Sequence, residues 1–196
     1  MGEIKSALEL ALERTNSVQG DKKLLLKSST MEKGRKAAFD FLENSDSKGS
    51  DIEKLLKSAD NEEKGWIREG MFKVLVTYLK LPENEAALEK LTRIRDAFIA
   101  ISEKKKEISY LFGQVEDVFR QYLQNRKQVR ENLDRNYAGK LREKEAALSK
   151  QLGQEVHLSA ERDPEYLEYL HKMVSQLDEQ YHEILIKIRA EIEKRL

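Results

Sequence analysis

A seam of apolar residues, Leu91, Ile94, Phe98, Ile101, Ile108, Phe112, Val115, Phe119 and Tyr122, continues through Val129, Leu133, Tyr137, Leu141, Leu148 and Leu152 to Val156. Its early spacing alternates three and four, the rhythm of a helix that buries a narrow stripe against another helix. A chain carrying such a stripe must find a helical partner for it. Asp163-Pro164 then opens a second seam, Leu167, Leu170, Val174, Leu177, Tyr181, Ile184, Ile188 and Ile192. Two long arms joined by a short connection predict an antiparallel helical hairpin, a shape suited to reaching and docking.

Composition agrees with long wetted helices. Of 196 residues, 37% are charged and 39% belong to the apolar set, more charge and less core than an average globular domain. The apolar residues are periodic, which is not the profile of disorder. Lys plus Arg and Asp plus Glu are 36 each, so no net field favours nucleic acid or an anionic membrane. There is no cysteine, which removes disulfides, a thiol nucleophile and Cys-based metal sites. The first residues lack the basic and apolar regions of a signal peptide, and no apolar run approaches the roughly 20 residues that span a bilayer. A cytoplasmic location is expected, with no membrane contact and no cofactor.

Before the long seam the sequence breaks into short pieces. An amphipathic helix is expected over 3–15, ended by Asn16, Ser17 and Gly20. A segment with Leu24, Leu25 and Leu26 follows, and Ser29 to Glu32 has capping-box spacing for a restart running to Glu43. Residues 44–49 read as a loop, and Ser50 to Glu53 as a second capping box. The helix after Asp60 carries Trp66, Ile67, Met71, Val74, Leu75, Tyr78 and Leu79 and is expected to be the heart of an N-terminal core. Leu81-Pro82 ends it. The first arm is expected over 84–154, roughly 105 Å if straight. Gly113 and Gly139 are its weak points, with a kink plausible at Gly139. Asp163 as cap with Pro164 in first position starts the final arm over 164–196.

The expected architecture is therefore all-α: a helical bundle over 1–82, packed with a long antiparallel coiled-coil hairpin over 83–196. The first arm outruns the second, so Phe98, Ile101, Ile108, Phe112 and Val115 need cover from the bundle or from a second chain. They are the candidate seam for a partner or for self-association.

Charge gives a second candidate surface. Arg120, Arg126, Lys127, Arg130, Arg135, Lys140, Arg142 and Lys144 face only Glu131, Asp134 and Glu143 over the same stretch, about five net positive. Such an arm could track phosphates, with Tyr122 and Tyr137 available to stack on bases. Both tyrosines lie on the seam, however, and the last helix is acidic enough to neutralise the arm.

Two Glu-x-x-His pairs, Glu168 with His171 and Glu179 with His182, have the spacing of carboxylate-bridged metal bundles. Those sites take one pair from each of two facing helices, whereas both pairs here share one helix. In the register set by Leu167 and Leu170, Glu168 and His182 fall at b, Glu179 at f and His171 at e, and all point mostly to water. His157 stands alone near the turn. No nucleophile elbow or phosphate-binding glycine motif is present, so no catalytic residue is assigned and no enzyme activity is expected.

The opening Glu3-Ile4-Lys5-Ser6-Ala7-Leu8-Glu9-Leu10-Ala11-Leu12-Glu13-Arg14-Thr15 is similar to the start of a bacterial all-helical family of unknown function. That resemblance implies no activity. The last helix loosely resembles the end of ribosome recycling factors, but their inserted β-rich domain has no counterpart here and their function is not carried over. The leading expectation is an adaptor, stalk-like or chaperone-like interaction protein. The alternative is a nucleic-acid or ribosome-associated factor using the 120–144 arm, followed by a metal-binding bundle.

Overall fold

The computed structural model describes residues 7–44 and 46–196, with side chains from Asp21 onward. The described residues are all-α. Six α-helices run α1 Ala7–Glu43, α2 Gly49–Ser58, α3 Asn61–Tyr78, α4 Ala86–Ile101, α5 Lys105–Leu152 and α6 Pro164–Glu193, with a 3-10 turn at Ala160–Arg162 before the last. They group into two compact units. One comprises 1–79, 92–109 and 195–196, the other 80–91 and 110–194. The expected boundary at Pro82 lies close to residue 79, but residues 92–109, assigned from sequence to the hairpin, cluster with the first unit.

Several expected breaks are not breaks. The three pieces read over 3–43 are one helix within the described residues, continuous from Ala7 through Gly20 and Ser29. Ser29 does not cap a new start. Its hydroxyl donates back to the Leu26 carbonyl at 3.0 Å, a bond compatible with an unbroken helix. The Glu3–Ser6 part of the first expected helix lies outside the described residues. Helix α2 starts one residue before Ser50, and Asp51 rather than Ser50 serves its first turn by accepting from the Lys48 N–H at 3.3 Å. Helix α3 is capped as the sequence suggests, the Asp60 carboxylate accepting from the Glu63 N–H at 2.8 Å.

In the first unit α1 and α3 pack side by side and parallel. Lys23 pairs with Glu62 at 2.6 Å near one end, and the Tyr78 hydroxyl donates to Glu43 at 3.0 Å near the other. Between them the helices touch backbone to backbone at Gly34 and Gly70, both buried. Ile67, Met71, Leu75 and Leu79 present a fully buried face, so α3 is the core helix of this unit. Trp66 is only half-buried. Arg93 closes the C-terminal end of α1, its guanidinium donating to the carbonyls of Phe41 at 2.6 Å and of Asn44.

The expected single arm over 84–154 is two helices. Between α4 and α5, Ser102 is buried, accepts from the Lys104 N–H at 3.0 Å and donates to the Arg195 carbonyl at 2.8 Å. By contrast α5 passes through Gly113 and Gly139 without interruption. The candidate seam across this junction is corrected in one respect. Phe98, Ile101, Ile108, Phe112 and Val115 are each at most 2% exposed, so the chain itself covers them and they offer no surface to a second chain. Phe98 meets Phe72 edge-on, ring centroids 6.2 Å apart.

In the second unit α5 and α6 run antiparallel. Tyr122 meets Tyr181, Asp134 meets Tyr166, and Lys144 meets Asp163. Leu133, Tyr137 and Tyr166 form a small core backed by Leu141, Ala160 and Leu170. The α6 seam keeps Tyr181 and Ile192 buried as expected and departs from its register at two positions. Leu167 and Ile184 are 46% and 37% exposed, while Tyr166 and Leu185 are buried in their place. The chain turns at Gly153, whose φ of 68° is a backbone that a side chain disfavours. Asp163 then caps α6, accepting from the Glu165 N–H at 3.0 Å.

Candidate functional site

The second unit carries an open groove of about 750 Å³. Leu81, Pro82 and Glu83 form one wall, and Asp178, Glu179, His182 and Glu183 of α6 form the other. Its floor is Tyr122 and Arg126 of α5. The α6 residues fall there because positions one, four and five apart share one side of a helix. Tyr122 is buried, and its hydroxyl donates to the Asp178 carboxylate at 2.6 Å. The Tyr122 and Tyr181 rings lie 5.1 Å apart, and Asn125 donates to the Tyr181 hydroxyl at 2.9 Å. Burial first, and then the neighbouring carboxylate, push the Tyr122 phenol up to about 12. It is a fixed donor rather than a proton-transfer group near neutrality.

The Glu-x-x-His pairs separate. Glu179 and His182 line this groove, whereas Glu168 and His171 lie elsewhere on α6. All four are exposed. Among the described residues no three of His, Asp and Glu come close enough to hold a metal ion.

The basic arm is engaged by the chain's own carboxylates. Arg120 bonds Glu116 at 2.6 Å and Lys127 approaches Glu131 at 3.8 Å, each along α5. Arg130 pairs with Glu161, and Lys140 with Glu165. Lys144 reaches Asp163 at 2.6 Å, Glu165 at 3.1 Å and the Tyr137 hydroxyl at 2.9 Å. Those contacts hold the Asp163 carboxyl below its ordinary value through Lys144, and that of Glu165 through Lys140 and then Lys144, while the Lys144 ammonium is pushed up. Arg135 donates to Asn132, and Arg126 stands over the Tyr122 ring at 5.9 Å. Arg142 is exposed. Three of the eight cations therefore clamp the start of α6 onto α5.

Sequence reasoning missed a third feature, on α1. Leu24, Leu25, Leu26 and Phe39 are 66%, 71%, 47% and 51% exposed, a concentration of wet apolar surface on one helix. Beside it a hollow of about 520 Å³ is lined by Ser29, Lys33, Lys36, Phe39 and Val74, among others. The available signal was three consecutive leucines, which spread over more than half a helical turn and cannot all face one core.

A family model described as Family of unknown function (DUF6657) matches residues 53–194, and the chain belongs to that family. The first helix, on which a family resemblance was read, lies outside the matched residues. Neither the curated proteins nor the solved structures give a match.

Proposed function

We propose that this chain is a non-enzymatic helical interaction protein of the cytoplasm, adaptor-like or chaperone-like, which works by presenting helix faces to protein partners. The observation that carries this reading is the exposure of Leu24, Leu25, Leu26 and Phe39 on α1. Large apolar side chains left wet on one helix of a highly charged protein are the kind of feature another surface covers. The arrangement of α5 and α6 supports it as well. Their polar side chains are occupied in holding the two helices together, as Tyr122 with Asp178 and Lys144 with Asp163 do.

The alternative, a nucleic-acid partner on the 120–144 arm, has less to stand on. Arg130, Lys140 and Lys144 are neutralised from the start of α6 and its preceding turn, which leaves little field to attract phosphates.

The test is capture of partners from a lysate of the source cells, with the wild-type chain and with a Leu25→Ser/Phe39→Ser variant, each with and without nuclease. A defined protein set that survives nuclease and is lost with the variant supports the reading. An identical set for both forms, or enrichment that vanishes with nuclease, overturns it.

A further inference from the structure

We infer that the α5–α6 hairpin has one uncharged face, and that this face pairs with the same face of a second copy of the chain. The face belongs to the second unit and is distinct from the apolar residues of α1.

Helix α5 keeps a seven-residue register. Phe112, Phe119 and Leu133 take position a and Val115, Tyr122 and Val129 position d, all turned inward. Positions c and g lie together on one flank of that seam, and from Leu111 to Asn132 they carry no charge. Gln114, Gln121 and Gln128 recur at c, and Leu111, Val118, Asn125 and Asn132 at g. The charges of the same stretch fall elsewhere. Glu116, Asp117, Arg120, Lys127, Arg130 and Glu131 take b, e and f, and Arg126 takes a. On a chain of which 37% is charged, that is a marked segregation.

Helix α6 repeats it. With Val174, Tyr181 and Ile188 at a, Tyr169 and Gln176 fall at c and Met173 and Gln180 at g, while Glu168, Asp178 and Glu179 fall at b, e and f. Because the two helices run in opposite directions, the same flank of each lies on the same side of the hairpin. The two uncharged flanks therefore form one face, bounded by Arg135 and Glu183 at the next c positions.

This face is wet and its polar groups are unspent. Gln114, Gln121, Gln128, Gln176 and Gln180 are exposed, and their side-chain amides make no hydrogen bond among the described residues. Tyr169, Met173 and, beside them, Ile184 are exposed too.

These residue types point to a copy. A surface that covers this face strands its own charges unless it too is uncharged. An amide both donates and accepts, so identical Gln or Asn side chains can bond one another across a two-fold axis, as two lysines or two glutamates cannot. The face is thus its own complement in charge and in hydrogen bonding. Tyr and Met are enriched where proteins meet, and the charged types depleted there are missing from it.

Sedimentation equilibrium of the purified chain over a wide concentration range tests this. The wild type is expected to dimerise reversibly. Gln121→Lys and Met173→Lys each place an ammonium on the face and are expected to weaken the dimer about tenfold or more. Gln124→Lys, at position f on the charged side, is the control and is expected to leave the constant within about twofold. All three positions are exposed, so each variant should keep the wild-type circular dichroism. A wild type that stays monomeric throughout, a dimer indifferent to Gln121→Lys and Met173→Lys, or one weakened as much by Gln124→Lys overturns the pairing. Leu25→Ser/Phe39→Ser should leave the dimer whole, and a dimer lost with that variant moves the contact to α1 and overturns this one. The α1 reading fails separately: a dimer with this pattern that captures no other protein removes that reading and leaves the pairing standing.

Discussion

Gly34 and Gly70 are counterparts across the α1–α3 contact. The α-carbon of Gly34 lies against the Ile67 carbonyl, and that of Gly70 against the Met31 carbonyl. Each carbonyl sits three residues before the glycine of its own helix, so the two contacts are reciprocal. A Cβ at either position would collide with backbone, which no rotamer change relieves. The helices meet this closely because neither carries a side chain at the crossing. Cα–H···O contacts of the kind found at close helix crossings add a little to it.

Alanine substitution therefore has opposite signs at different glycines of this chain. Helix propensity favours alanine over glycine by about 1 kcal/mol wherever space is open. At Gly65, Gly113 and Gly139 nothing beyond the neighbouring helix backbone stands within 4 Å of a new Cβ, so each alanine is expected to stabilise by up to about 1 kcal/mol. At Gly34 and Gly70 overpacking costs about 1–3 kcal/mol and outweighs the propensity gain. Urea denaturation of the five single variants checks this. A stabilised Gly70→Ala would show that the helices separate freely.

Tyr122 predicts an alkaline transition. Its phenol ionises near 12 in the folded chain against an ordinary value of 10.0. A raised value means that the neutral hydroxyl is favoured by folding. Its contribution is complete below pH 10 and is lost as pH rises towards 12, on the order of 2 kcal/mol in all. Phenolate absorbance followed with stability over that range should show the loss. Tyr122→Phe should remove this part of it while lowering stability near neutrality, because Asp178 then has no phenolic donor.

Much of this was legible in the residues. Asp60, Asp163 and Pro164 marked their helix starts correctly, because caps act through neighbours in sequence. The α4–α5 break has a signal in the residues: from Ser102 to Glu107 six polar residues interrupt the seam, so one inward position is missing. Gly113 and Gly139, by contrast, are exposed and cost α5 only propensity. The continuity of α1 was hidden, since Ser29 has the same local pattern whether it caps a helix or bonds back within one. In α6, Leu167 beside Tyr166 and Ile184 beside Leu185 offer two apolar choices each. Which turns inward depends on the facing helix, where Asp134 takes the Tyr166 hydroxyl. The Tyr122–Asp178 contact joins residues far apart in sequence, which spacing along either helix does not reveal.

Asp163 has two separable roles, cap and ion pair. The carboxyls of Asp163 and Glu165 are held below their ordinary values of 3.8 and 4.5 by Lys144 and Lys140. Lowered values give stability that is complete above the ordinary range and is lost as pH falls through it and below. The melting temperature is accordingly expected to drop below about pH 4.5. Asp163→Asn keeps a capping oxygen and loses the charge. It should flatten the acid dependence with a small cost near neutrality, whereas Asp163→Ala should lower the melting temperature at every pH.

Phe98 was a candidate contact for a second chain, and its burial changes what substitution should do. The ring is fully buried against Phe72. Phe98→Ala is expected to cost about 3–5 kcal/mol through the cavity it leaves. Phe98→Glu should fail to fold, because an unpaired carboxylate would be buried. If Phe98→Glu melts like the wild type, the covered seam is wrong.

Arg93 ties the end of α1 to α4. The last carbonyls of a helix have no partner within it, and a cation there also opposes the negative end of the helix dipole. The Arg93 fork bonds the Phe41 and Asn44 carbonyls while its plane stands 4.7 Å from the Phe41 ring centroid. Lysine has the charge but not the planar fork, so Arg93→Lys should keep the dipole contribution and lose the paired donors, at roughly 1 kcal/mol. Arg93→Met removes both and should cost about 1–3 kcal/mol, chiefly from leaving the part-buried Phe41 carbonyl unmet, since the exposed Asn44 carbonyl keeps the Ser47 N–H. Amide exchange locates the effect. Protection should fall first in the last turn of α1 and at Ser47, with α6 unaffected. A uniform loss across both units would mean that Arg93 supports the fold generally and does not cap this one helix.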